Sequence, residues 1–170
     1  MIKDIYMKAA ELHGHCCPGL AIGVRAAAEA VELLGVTRRG HHLYCIAESA
    51  MCYLDGIQWV FGCTAGNRNL VVRERGKTAF NFYDRASGKS VRFLAKPQPD
   101  GMTREEKTDY ILTAPFGEVF EKTPVRFEAP PDVHVRFASV KCPVCGEDCA
   151  EPYLRVKNGV TVCLDCAEKE

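Results

Sequence analysis

The chain has 170 residues, 47% of them hydrophobic, and its 22 basic side chains balance its 22 acidic ones. That is enough apolar material for one medium domain and a small appendage, and a net charge of zero removes any electrostatic argument for nucleic acid or an anionic membrane surface. The N-terminus carries charges throughout and no run approaches transmembrane length, so a cytoplasmic protein with no membrane partner is expected, whose ten cysteines are metal ligands or reactive thiols rather than disulfides.

Residues 3–12 form an amphipathic pattern, with Ile5, Ala9 and Leu12 on one side, that delivers the chain to His13-Gly14-His15-Cys16-Cys17-Pro18-Gly19. Pro18 suits the first turn of a helix, where its missing N–H has no intrahelical partner, so Cys17 is the cap or the last pre-helical residue of a second helix running to Leu34 and stopped by Gly35. A thiol in that place faces the positive helix end, which favours the thiolate that attacks electrophiles or binds a soft metal. His13, His15 and Cys17 alternate, so their side chains can converge from one side. Small residues from Gly19 to Ala30 suggest close approach by another element, but ordinary core packing is the preferred reading.

His41 to Glu48 alternates as a strand, with Leu43, Cys45 and Ala47 on one face and Cys45 a core residue. After Ser49 the period becomes helical and Gly62 ends it, placing Cys52 in the first turn, Asp55 one turn on, and Cys63 just past the end. Strands follow at 69–75, 78–84 and 90–95, joined by glycine-containing turns, and this predicts an antiparallel meander. Thr103 with Glu106 opens a helix that runs to about Thr113, and a short strand is expected at 125–127. The fold class is therefore α+β, a mainly antiparallel sheet with packed helices. Ala129-Pro130-Pro131-Asp132 is a joint between a core of residues 1–129 and a linker with a finger at 130–170.

That finger carries the plainest chemistry. Cys142-Pro143-Val144-Cys145, a spacer of seventeen residues, and Cys163-Leu164-Asp165-Cys166 form two C-x-x-C knuckles at the separation of a structural zinc site. The second opens a helix, which predicts a treble-clef-like finger holding zinc on four thiolates, with Cys149 a bystander. From Lys141 on, four basic residues (Lys141, Arg155, Lys157, Lys169) face six acidic ones, so a structural or protein-contact role is expected before phosphate binding.

HGHCCPGLAIGVR, followed by CYLDGIQWVFGCTAGNRNLVVRERGKTAFNFYDRASGKSVRF, resembles the E-subunit family of formylmethanofuran dehydrogenase over most of residues 10–95. His13, His15, Cys17, Pro18, Gly19, Gly23 and Arg25 fall on its first motif, and Cys52, Asp55, Gln58, Gly62, Cys63, Thr64 and Gly66 on its second; Cys16 falls on a variable position. The resemblance implies an α+β core with a polar cleft that commonly holds a metal, a tendency to form homodimers, and association with an oxidoreductase of methanogenesis as its partner. Members often carry Gly-Lys after the threonine; here Gly66-Asn67-Arg68 stands there, so a lysine's role would pass to Arg68.

Three functional readings follow. In the first, His15, Cys17, Cys52 and Cys63 bind zinc or another transition metal in the core cleft, and Asp55 or His13 moves a proton where a coordination position is open. In the second, Cys17 is a nucleophile with His15 as its base and Cys16, Cys52 or Cys63 resolving. In the third, the finger recruits a protein partner and the core senses metal or redox state.

Overall fold

The fold depends on how closely two helices approach. In the computed structural model, which describes residues 1–129 and 137–169, α1 (Ile2–His13) leads into α2 (Pro18–Leu34) and, after strand β1 (Leu43–Ala47), into α3 (Tyr53–Phe61). α2 crosses α3 through glycine: a Cβ at Gly23 would lie 2.0 Å from the Tyr53 carbonyl oxygen, and one at Gly56 would lie 2.6 Å from the Val24 nitrogen. The preferred reading of the small residues in α2, ordinary core packing, is thus corrected at this crossing, where the backbones approach too closely for a side chain.

The helices cover one face of a five-stranded sheet. β2 (Leu70–Val72), β3 (Ala79–Asp84), β4 (Ser90–Ala95) and β5 (Phe120–Thr123) complete it in the order β2-β1-β3-β4-β5. Antiparallel pairing dominates, as the α+β class requires, but the expected meander begins only at β3. β2 pairs parallel to β1 on its other side, Cys45 opposite Leu70, because α3 carries the chain back across the sheet before β2 starts; a helical crossover, unlike a tight turn, returns the chain in the same direction.

Leu43, Cys45 and Ala47 from β1 join Phe80, Phe82 and Phe93 beneath the helices, while Tyr44, Ile46 and Tyr83 face the other way. The strand expected at 125–127 is not one. Pro124 has no N–H to continue the ladder, so the pairing stops at Thr123, and Val125 and Phe127 pack over Tyr44, Ile46 and Tyr83 instead. Beneath them Arg92 forks onto the fully buried Glu48, with Nε 2.6 Å from Oε1 and Nη2 3.1 Å from Oε2. Burial alone would raise the Glu48 carboxyl, but hydrogen bonds from Arg92 and Asn81 outweigh it and hold the group below its ordinary range.

α4 (Arg104–Thr113) opens on the Thr103–Glu106 capping box, and α5 (Phe116–Val119) is a single turn ahead of β5. The chain divides into two compact units, Met1–Pro130 and Pro131–Glu170; most of the expected Pro-rich joint lies outside the described residues. The second unit has two hairpins, β6 (Ser139–Lys141) with β7 (Asp148–Ala150) and β8 (Leu154–Lys157) with β9 (Val160–Cys163), then α6 (Leu164–Glu168). Among the described residues no helix is long and apolar enough to cross a membrane.

The crossing yields a stability prediction. Gly→Ala inside a helix ordinarily gains about 0.5–1 kcal/mol, but Gly23→Ala drives a methyl into the Tyr53 carbonyl and should lose about 1–3 kcal/mol in thermal or denaturant unfolding. Gly117→Ala, where a Cβ meets nothing within 4 Å, should stay within about 0.5 kcal/mol of the parent. Equal stability of the two variants would remove the crossing as a constraint.

Candidate metal centre

The α2–α3 crossing places the N-termini of both helices at one point. Cys17 caps α2 in an extended conformation (φ −156°), and its sulfur accepts the Leu20 N–H at 3.3 Å. Cys52 caps α3. Gly19 lets Cys52 pack closely, since a Cβ there would lie 3.1 Å from the Cys52 Cβ, with the Cys52 and Cys17 sulfurs at ordinary contact distances of 3.8 and 3.9 Å. Burial and the neighbouring Cys17 thiol push the Cys52 thiol up.

α1 supplies the other side. His13 is its last residue, and Gly14, left-handed at φ 89°, turns the chain so that His15 comes back beside His13, ring centroids 4.4 Å apart. His13, His15, Cys17 and Cys52 together put four ligand atoms within 4.8 Å of one another. Cys17 is buried, His13 and Cys52 are half-buried and His15 is exposed, so the group opens to solvent on the His15 side. Tyr6 fixes the floor by donating its hydroxyl to the Cys17 carbonyl oxygen at 3.3 Å; burial and the adjacent Cys16 push that phenol up to about 12.

Asp55 stands behind His13. Its Oδ2 lies 2.7 Å from His13 Nδ1, and its Oδ1 accepts the Gln58 amide at 3.1 Å. A carboxylate on Nδ1 fixes the proton there and leaves Nε2 free as a donor to a metal. Nε2 is 3.7 Å from the Cys17 sulfur. His13 and Asp55, expected to move protons, thus form one hydrogen-bonded pair, and His13 is itself one of the four potential ligands.

Cys63 is not brought to this group. It lies past the Gly62 C-cap, fully buried, at the far end of α3 from Cys52. The nine residues of α3 that stand between them span about 14 Å, which no single ion bridges. Burial pushes the thiols of Cys63 and its neighbour Cys45 well above their ordinary range, as for core residues. The place expected for Cys63 is taken by His13, for which the alternation of His13, His15 and Cys17 is the signal in the sequence. Cys16 is exposed and stands outside the group.

In the second unit Cys142, Cys145, Cys163 and Cys166 also lie within 4.8 Å of one another. Cys142 sits in a tight knuckle and Cys163 caps α6. Backbone N–H groups, first that of Cys145 and then that of Cys163, pull the Cys142 thiol down to about 6. The Cys163 side chain and burial push Cys166 up to about 12, as in a crowded thiol cluster whose ion would take up the charge. Cys149 points its sulfur at the Ala150 and Tyr153 carbonyls, 3.6 Å from each, outside the cluster.

Comparison with known proteins matches this division. Residues 136–170 match the prokaryotic dksA/traR C4-type zinc finger. Over 96 residues, 54% of the chain, it is 39% identical to a probable S-adenosyl-L-methionine-binding protein of Archaeoglobus fulgidus. That stretch spans only 26% of the curated relative's own length. The fold is that of a tungsten formylmethanofuran dehydrogenase E-subunit (FmdE)-like protein from Syntrophus aciditrophicus, with a TM-score of 0.71 and 23% identity, covering 98% of this chain and 92% of that one. Residues 12–121, the segment that carries all four donors of the core group, match the family described as FmdE, molybdenum formylmethanofuran dehydrogenase operon, and the chain is a metal-binding protein belonging to that family.

Proposed function

We propose that the core holds a zinc ion, or a related thiophilic transition metal, on His13, His15, Cys17 and Cys52, and that the protein serves one-carbon or redox metabolism as an accessory protein or enzyme. The observation that carries this reading is the pairing of four donors within 4.8 Å with a carboxylate seated on the back nitrogen of one of them. Donor atoms around tetrahedral zinc stand about 3.3–3.8 Å apart, so the set closes on an ion with shifts of about 1 Å. Two imidazoles and two thiolates suit zinc, copper(I) or iron and disfavour magnesium or calcium.

Held by three of these donors, such an ion would supply Lewis acidity to a thiolate, carboxylate or water at the position left open. The protein's own groups do the rest. Cys17 and Cys52 anchor from the rigid helix ends, while His15 lies where solvent and a small ligand arrive first. Asp55 holds the proton on His13 Nδ1, so that Nε2 either binds the ion or, standing off it, exchanges a proton with a ligand. The one-carbon setting is supported by the family's description and by the Archaeoglobus relative's name, since S-adenosylmethionine carries a transferable methyl group. A homodimer and an oxidoreductase partner belong to the same reading.

Metal content tests it. The purified chain should carry two ions, Cys17→Ser or Cys52→Ser should lose one, and Cys142→Ser should lose the other. A parent holding only the finger ion would transfer the function to Cys17 and Cys52 as a redox-active thiol pair. Asp55→Asn should lower the affinity of the core ion by about 10–100-fold in competition with a chromogenic chelator, leaving the finger ion's release unchanged; undiminished affinity would deny Asp55 its positioning role.

A further inference from the structure

Several residues of the second motif take no part in the metal group. Gln58 and Thr64, with Asn67 and Asn69 beside them, instead line a hollow of about 280 Å³ at the opposite end of α3, together with Arg39 and His41. Its size is near the lower end of small-ligand pockets.

The hollow is built rather than incidental. Asn69 is 7% exposed and tied on both sides, accepting the Thr64 N–H at 2.7 Å and donating to the Leu43 carbonyl at 3.1 Å. Thr64 accepts the Asn67 N–H at 3.1 Å. Arg39 and Arg68 hold left-handed backbones, φ 65° and 56°, a conformation that non-glycine residues adopt at a cost; Arg39 lines the hollow and Arg68 sits between two residues that do. Arg39 is pinned there: its N–H donates to the Phe61 carbonyl at 3.1 Å, and Gly62 packs so closely that a Cβ would lie 2.5 Å from the Arg39 Cα.

Charge decides the ligand. The C-terminal carbonyls of α3 would repel an anion, but Arg38 donates to those of Trp59 and Val60, 2.9 and 2.8 Å away. With those carbonyls answered, Arg39, whose guanidinium stacks 5.3 Å from the Trp59 ring centroid, is the cationic residue of a lining that contains no carboxylate among the described residues. The remaining groups are a hydroxyl, side-chain amides and an imidazole, which suit hydroxyls on the same ligand.

We propose that this hollow binds a small hydroxylated organic anion, a carboxylate or a phosphate monoester, with Arg39 at its charge and Thr64, Asn67 and Gln58 at its hydroxyls. Because Gln58 also holds Asp55, an occupant is felt at His13, a coupling that rests on the centre proposed above; binding itself does not.

The test uses the ¹⁵N-labelled, zinc-loaded full chain, titrated with glycerate, glycerol 3-phosphate and glycerol while the side-chain amide signals of Gln58, Asn67 and Asn69 are followed by NMR. At least one of the two anions should shift them saturably, identifying a carboxylate or a phosphate ligand, while glycerol should not. Arg39→Asn, a side chain that tolerates the left-handed backbone, should keep the parent's folded spectrum and weaken binding by about tenfold or more; His41→Ala offers a second variant should Arg39→Asn not fold. Cys17→Ser should bind the anion like the parent even where it has lost the core ion, so the two proposals fail separately. No saturable shift with either anion, equal response to glycerol, or undiminished binding in the folded Arg39→Asn protein overturns the inference.

Discussion

The contact on which the rest of the core depends is the backbone-to-backbone crossing of α2 and α3 at Gly23 and Gly56. With a Cβ at Gly23 meeting the Tyr53 carbonyl at 2.0 Å, no other residue lets these axes approach as they do. The approach sets the separation of the two N-caps, and therefore of Cys17 and Cys52. At the α2 end the Cys17 sulfur also accepts a free helix N–H, that of Leu20. A single packing constraint thus supplies the geometry that brings the two thiols of the group together.

Local signals are legible in the sequence because they act over a few residues. Pro18 starts α2, Gly35 and Gly62 stop helices in left-handed conformations, and Thr103 with Glu106 caps α4, each by chemistry confined to one turn. The four-cysteine knuckles of the finger are legible for the same reason: their ligands lie in two tight local pairs. What stays hidden is non-local. Cys52 and Cys63 both carry thiols and flank one helix, but only the length of that helix, about 14 Å, decides that they cannot share an ion. β2 carries strand chemistry whichever neighbour it takes, and only the crossover through α3 assigns it to the far side of β1. His13 reads from sequence as a proton carrier rather than a ligand, because its place depends on how Gly14 folds the chain back towards α3.

The two metal groups differ in what they ask of the ion. The finger's cluster of buried residues is little more than Cys142, Val162, Cys163 and Cys166, too small to offset the ordering of some thirty residues without metal–thiolate bonds. The core buries Phe61, Phe80, Phe82, Phe93 and Phe120 in one continuous cluster, and needs no ion to fold. An ion in the finger would therefore be coupled to folding, whereas an ion on the proposed core donors would sit on a support that has its own apolar cluster.

α3 is where these arguments meet. Along one side of nine residues it presents Cys52 as its N-cap, Asp55 one turn later against His13, and Gln58 another turn on, holding Asp55 and facing the hollow that Arg39 overlooks. Spacings of three residues on a helix place side chains on one face, so a row of polar groups runs continuously from the thiolate end to the C-cap. A helix needed only to bury Ile57, Val60 and Phe61 against the sheet could carry any soluble residues on its other face. This face instead carries a candidate ligand, Cys52, the carboxylate bonded to a second candidate, His13, and the amide bonded to that carboxylate, a chain of contacts that packing against the sheet does not require.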